Sequence, residues 1–163
     1  MKSLSVITVT YNAALTLERT LKSVREQTYP HIEHLIVDGE SKDNTVALIQ
    51  QYAQEKMVWV SEPDQGLYDA MNKAAGMASG DYLCFLNAGD TFFAPDSVEK
   101  MMHTMDPDNA PDIIYGETAI VDERGAFLSM RRLKAPDRLT WKSFRQGMLV
   151  CHQAFIIKRE LFE

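Results

Sequence analysis

Four short apolar runs, each closed by a polar loop and followed by a segment with helical periodicity, constrain this chain more than any other feature. The runs are SVITV (5–9), HLIV (34–37), MVWV (57–60) and YLCFL (82–86). Between them, Leu17, Leu21 and Val24 recur at i, i+4 and i+7 within a helix expected over 14–28. Val46, Ile49 and Ala53 share one face of a second helix over 43–54, with Asp43 near its positive end. Leu67, Met71, Ala74 and Ala78 are in register along a third, over 67–78. Apolar residues three or four apart mark an amphipathic helix, and short β-branched runs between turn residues mark strands. Strands alternating with helices over short loops build βαβ units and a parallel sheet. These strands are apolar throughout, as expected when helices cover both faces. The expected fold class is therefore α/β, a mostly parallel sheet flanked by helices.

The second half reads differently. It offers a helix over 96–105, a strand DIIY (112–115), and a hairpin in TAIVDERGAFLSM with its turn at Glu123–Gly125. A helical stretch is expected near 137–145, then a strand QAFII (153–157). The final KRELFE reads as the start of a helix, so the chain is expected to be the C-terminally truncated part of a longer protein.

Composition narrows the function classes. The 163 residues carry 17 Lys+Arg and 23 Asp+Glu, a net charge of −6, with 45% hydrophobic and 25% charged residues. That is ordinary globular usage for a single domain over 1–163. No basic stripe is present to neutralise phosphates, which argues against nucleic acid as partner. An acidic protein can still hold a diphosphate when a divalent cation bridges the two sets of charge. Cys84 and Cys151 each sit in an apolar run, which predicts buried thiols in a reducing compartment. The N-terminus lacks the pattern of a signal peptide, and no apolar segment reaches 18 residues, so the expected place is the cytoplasm.

In an open parallel sheet, ligands bind beyond the carboxyl ends of the strands. There this sequence places Thr10, Tyr11 and Asn12, then Asp38 to Ser41, then Glu62 to Gln65, then Asn87 to Asp90. One such loop is explained by helix capping and turns. Four in succession point to a binding edge. The P-loop, the G-x-G-x-x-G turn, H-E-x-x-H, paired C-x-x-C and G-x-S-x-G are all absent from the sequence. A carboxylate-rich edge suits Mg²⁺ or Mn²⁺, held by one or two carboxylates plus ligand phosphates. Asp90 is the best single ligand, because it follows a buried strand and Gly89 beside it lets a ligand approach the backbone.

At this point the residues match a family. SVITVTYNAALTLERTLKSVREQTYPHIEHLIVDGESKDNT and SEPDQGLYDAMNKAAGMASGDYLCFLNAGD resemble family 2 glycosyltransferases of the GT-A fold. The second string looks like the colanic-acid-type exopolysaccharide branch, and the likeness returns at CHQAFIIKRELF. The resemblance implies a nucleotide-sugar-binding half over 1–91 and an incomplete acceptor-side half over 92–163. It implies that Thr10, Tyr11 and Asn12 line the nucleobase–ribose pocket, that Asp38 bonds base or ribose, and that Asp64 and Asp69 shape the donor pocket. NAGD would stand for the metal motif, with Asp90 acting through the metal and Asn87 beside it. The implied reaction moves a sugar, with inversion, from a nucleotide-diphosphate sugar to a saccharide or lipid-linked saccharide in surface polysaccharide synthesis. Such an enzyme would be metal-dependent and hexosyltransferase-like, working at the inner face of the membrane without crossing it.

Three departures matter. Gly39 stands where many relatives carry a second acidic residue. Asn87-Ala88-Gly89-Asp90 replaces Asp-x-Asp, so weaker metal binding is expected. The general base of relatives lies after the HQ segment, apparently beyond Glu163; Glu117 and Asp122 read as solvated hairpin charges. An alternative function is therefore a nucleotide-sugar-binding fragment without turnover. His152 reads equally as a further metal or diphosphate ligand and as a hydrogen-bonded histidine fixing a strand. Trp141 and Phe144 read as a helix face on the core ahead of an acceptor platform. Met101, Met102 and Met105 read as core filler. Arg131, Arg132 and Lys134 read as a solvated patch ahead of a site for an anionic acceptor or a lipid phosphate.

Overall fold

The computed structural model describes residues 1–53, 57–105 and 110–162. Its elements run β1 (Leu4–Thr10), α1 (Leu17–Arg25), β2 (Ile32–Asp38), α2 (Thr45–Tyr52), β3 (Met57–Ser61), α3 (Leu67–Met77) and β4 (Tyr82–Phe85). Then come α4 (Ser97–His103), β5 (Ile113–Tyr115), β6 (Ala119–Val121), β7 (Phe127–Met130) and β8 (Phe155–Lys158). Six strands form one sheet in the order β3-β2-β1-β4-β8-β5, and β6 and β7 form a separate hairpin. β1, β2, β3 and β4 pair in parallel. β8 runs antiparallel to both β4 and β5, so β5 points the same way as β4.

Helices on both faces explain the apolar strands. All seven residues of β1 are buried. Its Leu4 and Val6 join Val24, Tyr82, Cys84, Val98, Met102 and Ile156 on the face covered by α1 and α4. Its Ile7 and Val9 join Leu35, Val37, Ala70, Ala74 and Leu83 on the face covered by α3. Leu17, Leu21, Ile36 and Ile49 seat α1 and α2 over β2. Met102 is buried, and Met101 and Met105 pack against the first of these clusters, as expected of filler. Tyr82 is fully buried and its hydroxyl donates to Pro111 O at 2.6 Å, tying β4 to the segment entering β5.

Several expectations are corrected. α1 starts at Leu17 rather than Ala14, because residues 13–16 form a turn held from the α2 entry. Ala13 N–H donates to Thr45 Oγ1 at 2.8 Å and Ala14 N–H to Asp43 Oδ2 at 3.1 Å. Gln54, the expected end of the second helix, lies outside the described residues. No α-helix forms over 137–145. A 3₁₀ turn at Ser143–Gln146 stands there instead, ended by Gly147 at φ 110°. The Tyr115 hydroxyl takes Leu139 N–H and donates to Pro136 O, holding that stretch as loop. Trp141 and Phe144 therefore do not pack on the core; they are 73% and 43% exposed. The final stretch makes only a 3₁₀ turn at Arg159–Leu161. Cys84 is buried, its thiol pushed up to about 12 by desolvation, whereas Cys151 is half-buried; both are free. Among the described residues, no helix is long and apolar enough to cross a membrane.

Candidate functional site

Because β1 to β4 are parallel, their carboxyl ends open on one rim, and β5 brings Gly116 and Glu117 to the same rim. The chain moves outward from β1 to β2 to β3, then α3 carries it back past β1 to β4. The rim between β1 and β4 is thus the switch point of the sheet, where loops diverge and leave a crevice.

A cavity of about 440 Å³ lies on the β2–β3 side of this rim, walled by Thr10, Tyr11, Gly39, Asp64, Leu67 and Ala70 among others. Thr10 Oγ1 is buried and has no hydrogen-bond partner among the described residues. The Tyr11 ring is exposed. Asp64 Oδ1 accepts Gly66 N–H at 2.8 Å, at a turn where Gly66 takes φ 111°. An apolar slot with a waiting hydroxyl, a flat ring and a carboxylate suits a flat heterocycle with a polar edge. The lack of a side chain at Gly39 has a steric cause. A Cβ there would come within 2.5 Å of Asp64 Oδ2 and 3.4 Å of Tyr11 Cδ2. The space that a second acidic residue would use is filled by Asp64.

The other expected donor residues support loops and do not wall the cavity. Asp38 is fully buried; it accepts from the Ser41 hydroxyl, from Ser41 N–H at 2.9 Å and from Ser61 Oγ at 2.6 Å. Asn12, at φ 48°, donates its N–H to Ser41 Oγ at 2.7 Å and accepts Lys42 N–H on Oδ1 at 2.8 Å. Ser41 thus latches the β1 and β2 loops through Asp38. Asp69 accepts Gln65 N–H at 3.0 Å, which with the Lys73 ammonium 3.5 Å away outweighs desolvation and holds its carboxyl below the ordinary range. Lys73 also reaches Glu62 at 3.1 Å and donates to Pro63 O at 2.8 Å, bracing the loop that carries Asp64.

The end of β4 is joined to this cavity through the backbone, since Ala88 N–H donates to Val9 O at 3.4 Å and Val9 is part of the cavity wall. Gly89, at φ 103°, donates its N–H to Thr20 Oγ1 at 2.9 Å, and the same hydroxyl donates to Asp90 O at 2.8 Å. The turn is thereby clamped to α1. The antiparallel β8 begins at this rim, so His152 and Gln153 arrive beside Asn87 and Asp90. Asn87 Nδ2 donates to His152 Nε2 at 3.2 Å, and Gln153 Nε2 donates to Asp90 Oδ2 at 2.9 Å. The Cys151 thiol donates to Gln153 Oε1 and orients that amide.

Does this end of β4 fit a hard cation? No group of three His, Cys, Asp or Glu able to hold a metal exists among the described residues. Asn87 Oδ1, however, is buried with no partner, and Asp90 commits only Oδ2 to Gln153. One carboxylate oxygen and one orphaned carbonyl oxygen fit a cation that takes most of its ligands from phosphates and water. Asp90 also walls a second cavity of about 460 Å³, with Phe92, Phe93, Glu117, Phe127 and Gln153. Glu117 Oε1 accepts Ala135 N–H at 3.1 Å, and Asp122 Oδ1 accepts Arg124 N–H and Ala126 N–H within the hairpin turn.

Sequence reasoning placed Ser41 on the rim without its latch role, and missed Gln153, Ser61 and Thr20. Gln153 stood in the HQ string, and Ser61 is the residue that closes a strand. Thr20 lies in mid-helix and carries no signal of its position against Gly89.

Comparisons with known proteins bear on the family and the fold. Residues 5–163 match the family model for glycosyl transferase family 2. A PGL/p-HBAD biosynthesis glycosyltransferase of Mycobacterium bovis (strain BCG) is 32% identical over 165 residues, covering 97% of this chain and 60% of that protein. The chain spans about three fifths of the length of the curated relatives it matches. The S. aureus protein TarS (residues 1–349), solved with UDP-GlcNAc, superposes at a TM-score of 0.79 with 21% identity, over 98% of this chain and 46% of that one. The mannosyltransferase PcManGT of Pyrobaculum calidifontis, solved with GDP-Man and Mn²⁺, superposes at 0.67 with 23% identity, over 99% and 46%. These likenesses establish the GT-A fold.

Proposed function

The chain belongs to glycosyl transferase family 2, and from that premise we propose that it moves a sugar from a nucleotide-diphosphate sugar to a saccharide or lipid-linked acceptor, with inversion. Residues 1–91 would hold the donor and residues 92–163 would face the acceptor. The mycobacterial relative supports a surface glycan or glycolipid as product; the colanic-acid-type likeness rests on the sequence strings alone. The observation that carries the reading is that a nucleoside-sized cavity and a strand end bearing Asp90 and the orphaned Asn87 oxygen lie along one rim, joined by the Ala88–Val9 backbone bond.

In this reading the base stacks by Tyr11 and meets the Thr10 hydroxyl. Asp64 closes the slot over Gly39. The diphosphate extends across the β1–β4 crevice toward Asn87 and Asp90. A divalent Mg²⁺ or Mn²⁺ bound there would neutralise the charge gathering on the leaving diphosphate, an effect of several kcal/mol. Gln153 holds Asp90 in place, and His152 holds Asn87. The acceptor hydroxyl attacks the anomeric carbon from the face opposite the diphosphate; its proton goes to a general base and the nucleoside diphosphate departs. The acceptor, when lipid-borne, would be met at the inner face of the membrane.

The test is a thermal-shift series with UDP, GDP and their sugars, with and without Mn²⁺. Ligand at a hundredfold excess over Kd stabilises by about 2.7 kcal/mol. Asp90→Ala is expected to remove the Mn²⁺-dependent part of the shift, and to lower the ligand-free Tm only by the loss of the Gln153 bond. A shift that survives intact in Asp90→Ala overturns the metal assignment, and no shift with any nucleotide overturns the donor site. A second reading is a donor-binding unit without turnover of its own. Calorimetric donor binding without metal-dependent release of nucleoside diphosphate supports that reading.

A further inference from the structure

We propose that residues 132–148 form a docking surface for an anionic lipid bilayer. The segment is a closed loop. Arg131 donates from Nη1 to Leu133 O at 3.2 Å and Leu149 O at 3.1 Å, and from Nη2 to Met148 O at 2.6 Å. One guanidinium thus staples both ends of the loop, and the Tyr115 hydroxyl pins its middle at Pro136 and Leu139. This corrects the expectation for Arg131, which is spent on carbonyls and is no part of a solvated patch.

What the closed loop presents to solvent is unusual in both respects that matter to a membrane surface. Its large apolar side chains point away from the core: Trp141 is 73% exposed, Met148 60%, Phe144 43% and Leu133 41%. Between them stand five exposed cations, Arg132, Lys134, Arg138, Lys142 and Arg145, against one anion, Asp137. The loop carries +4 in a chain of net −6, so the remaining residues carry −10. Lys142 holds its ammonium 5.6 Å from the Trp141 ring centre, putting charge and aromatic at one spot. Apolar and indole side chains enter the headgroup boundary while Lys and Arg meet anionic headgroups. The −10 elsewhere is repelled by the same surface, so electrostatics allow the approach only loop-first. An aqueous partner recognised by charge alone would leave the four apolar side chains unexplained.

This inference stands apart from the donor reading and fails separately from it. The 163-residue chain is co-sedimented with vesicles of phosphatidylcholine and of phosphatidylcholine with phosphatidylglycerol. Binding is expected only to the anionic vesicles, falling with added salt. Two variants then divide the surface: Trp141→Ala with Phe144→Ala, and Arg132→Glu with Lys134→Glu and Lys142→Glu. Each is expected to weaken vesicle binding roughly tenfold or more while leaving Tm and the nucleotide-induced thermal shift unchanged. Absence of wild-type binding to anionic vesicles overturns the proposal, as does binding undiminished in both variants. Sedimentation velocity covers the rival occupant. A dimer that Trp141→Ala with Phe144→Ala converts to monomer, with vesicle binding intact, assigns the surface to a second copy of the chain and overturns the proposal.

Discussion

β1 and β7 have opposite fates although LSVITVT and FLSM are both rich in apolar residues. Every residue of β1 is buried, and every residue of β7 is exposed. FLSM has, if anything, the higher apolar share, so composition does not decide the outcome. The difference is what lies over each strand. β1 sits at the centre of four parallel strands whose crossovers necessarily lay helices on both faces. β6 and β7 are joined by a tight turn, carry no crossover helix and pair only with each other. A two-stranded hairpin has marginal stability unless it is covered or tethered. The main sheet, with α4, β5 and β8 of the second half, is therefore held by packing, whereas the hairpin and the 132–149 loop are held by a few specific bonds, those of Tyr115 and Arg131.

Mutation can break that contrast. The largest effect is expected at Ile7, fully buried between β1 neighbours and α3: Ile7→Ala costs about 2–5 kcal/mol in urea unfolding. Leu128→Ala, in β7, stays within about 0.5 kcal/mol of wild type. Equal costs at the two positions contradict the contrast.

Acid probes the packed half next. The His34 imidazole is buried, and desolvation pushes it down to about 4 from 6.5. The Thr8 hydroxyl donates to Leu86 O, so His34 Nε2–H donates to Thr8 Oγ1 at 2.9 Å in the neutral ring. The unfolded chain takes up the proton first. Stability is whole above pH 6.5 and falls from there toward pH 4, by on the order of 3 kcal/mol. His34→Gln should flatten that slope, and an unchanged slope in chemical denaturation between pH 6.5 and 4 removes His34 as its source.

Arg131→Ala addresses the tethered half. The expected loss is about 1–2 kcal/mol, read as faster amide exchange across 132–149 with β1 to β4 unaffected. Uniform loss of protection in both halves argues that the loop is integral to the packed core. Gly39→Ala is also mild for stability, under about 1 kcal/mol, because the carboxylate end of Asp64 can swing aside. That displacement should nonetheless reduce the nucleotide-induced thermal shift, and a shift equal to wild type removes Asp64 from the cavity's function.

The same contrast governs how much could be read from the amino acids. All of β1 to β4 and the three helices between them were legible, because period and burial coincide where helices cover both faces. The rim positions followed from topology, and Thr10, Tyr11, Asp64 and Asp90 do face cavities there. Asp38, Asn12 and Asp69 show the limit. Residue type and position cannot separate a carboxylate that meets a ligand from one that meets Ser41 and Ser61, since both sit after a strand. Trp141 and Phe144 show another. Their i, i+3 spacing is helical, yet Tyr115, some 25 residues away, claims the backbone between Pro136 and Leu139 and no helix follows.

The antiparallel strand β8 gives the molecule a schedule. During synthesis the cavity made by residues 9 to 70 can close early. The wall formed by His152 and Gln153 must wait until β8 has left the ribosome and found β4, more than sixty residues upstream. A nascent chain would therefore gain its grip on Asn87 and Asp90 last, so that this part of the rim is assembled only after the sheet is complete.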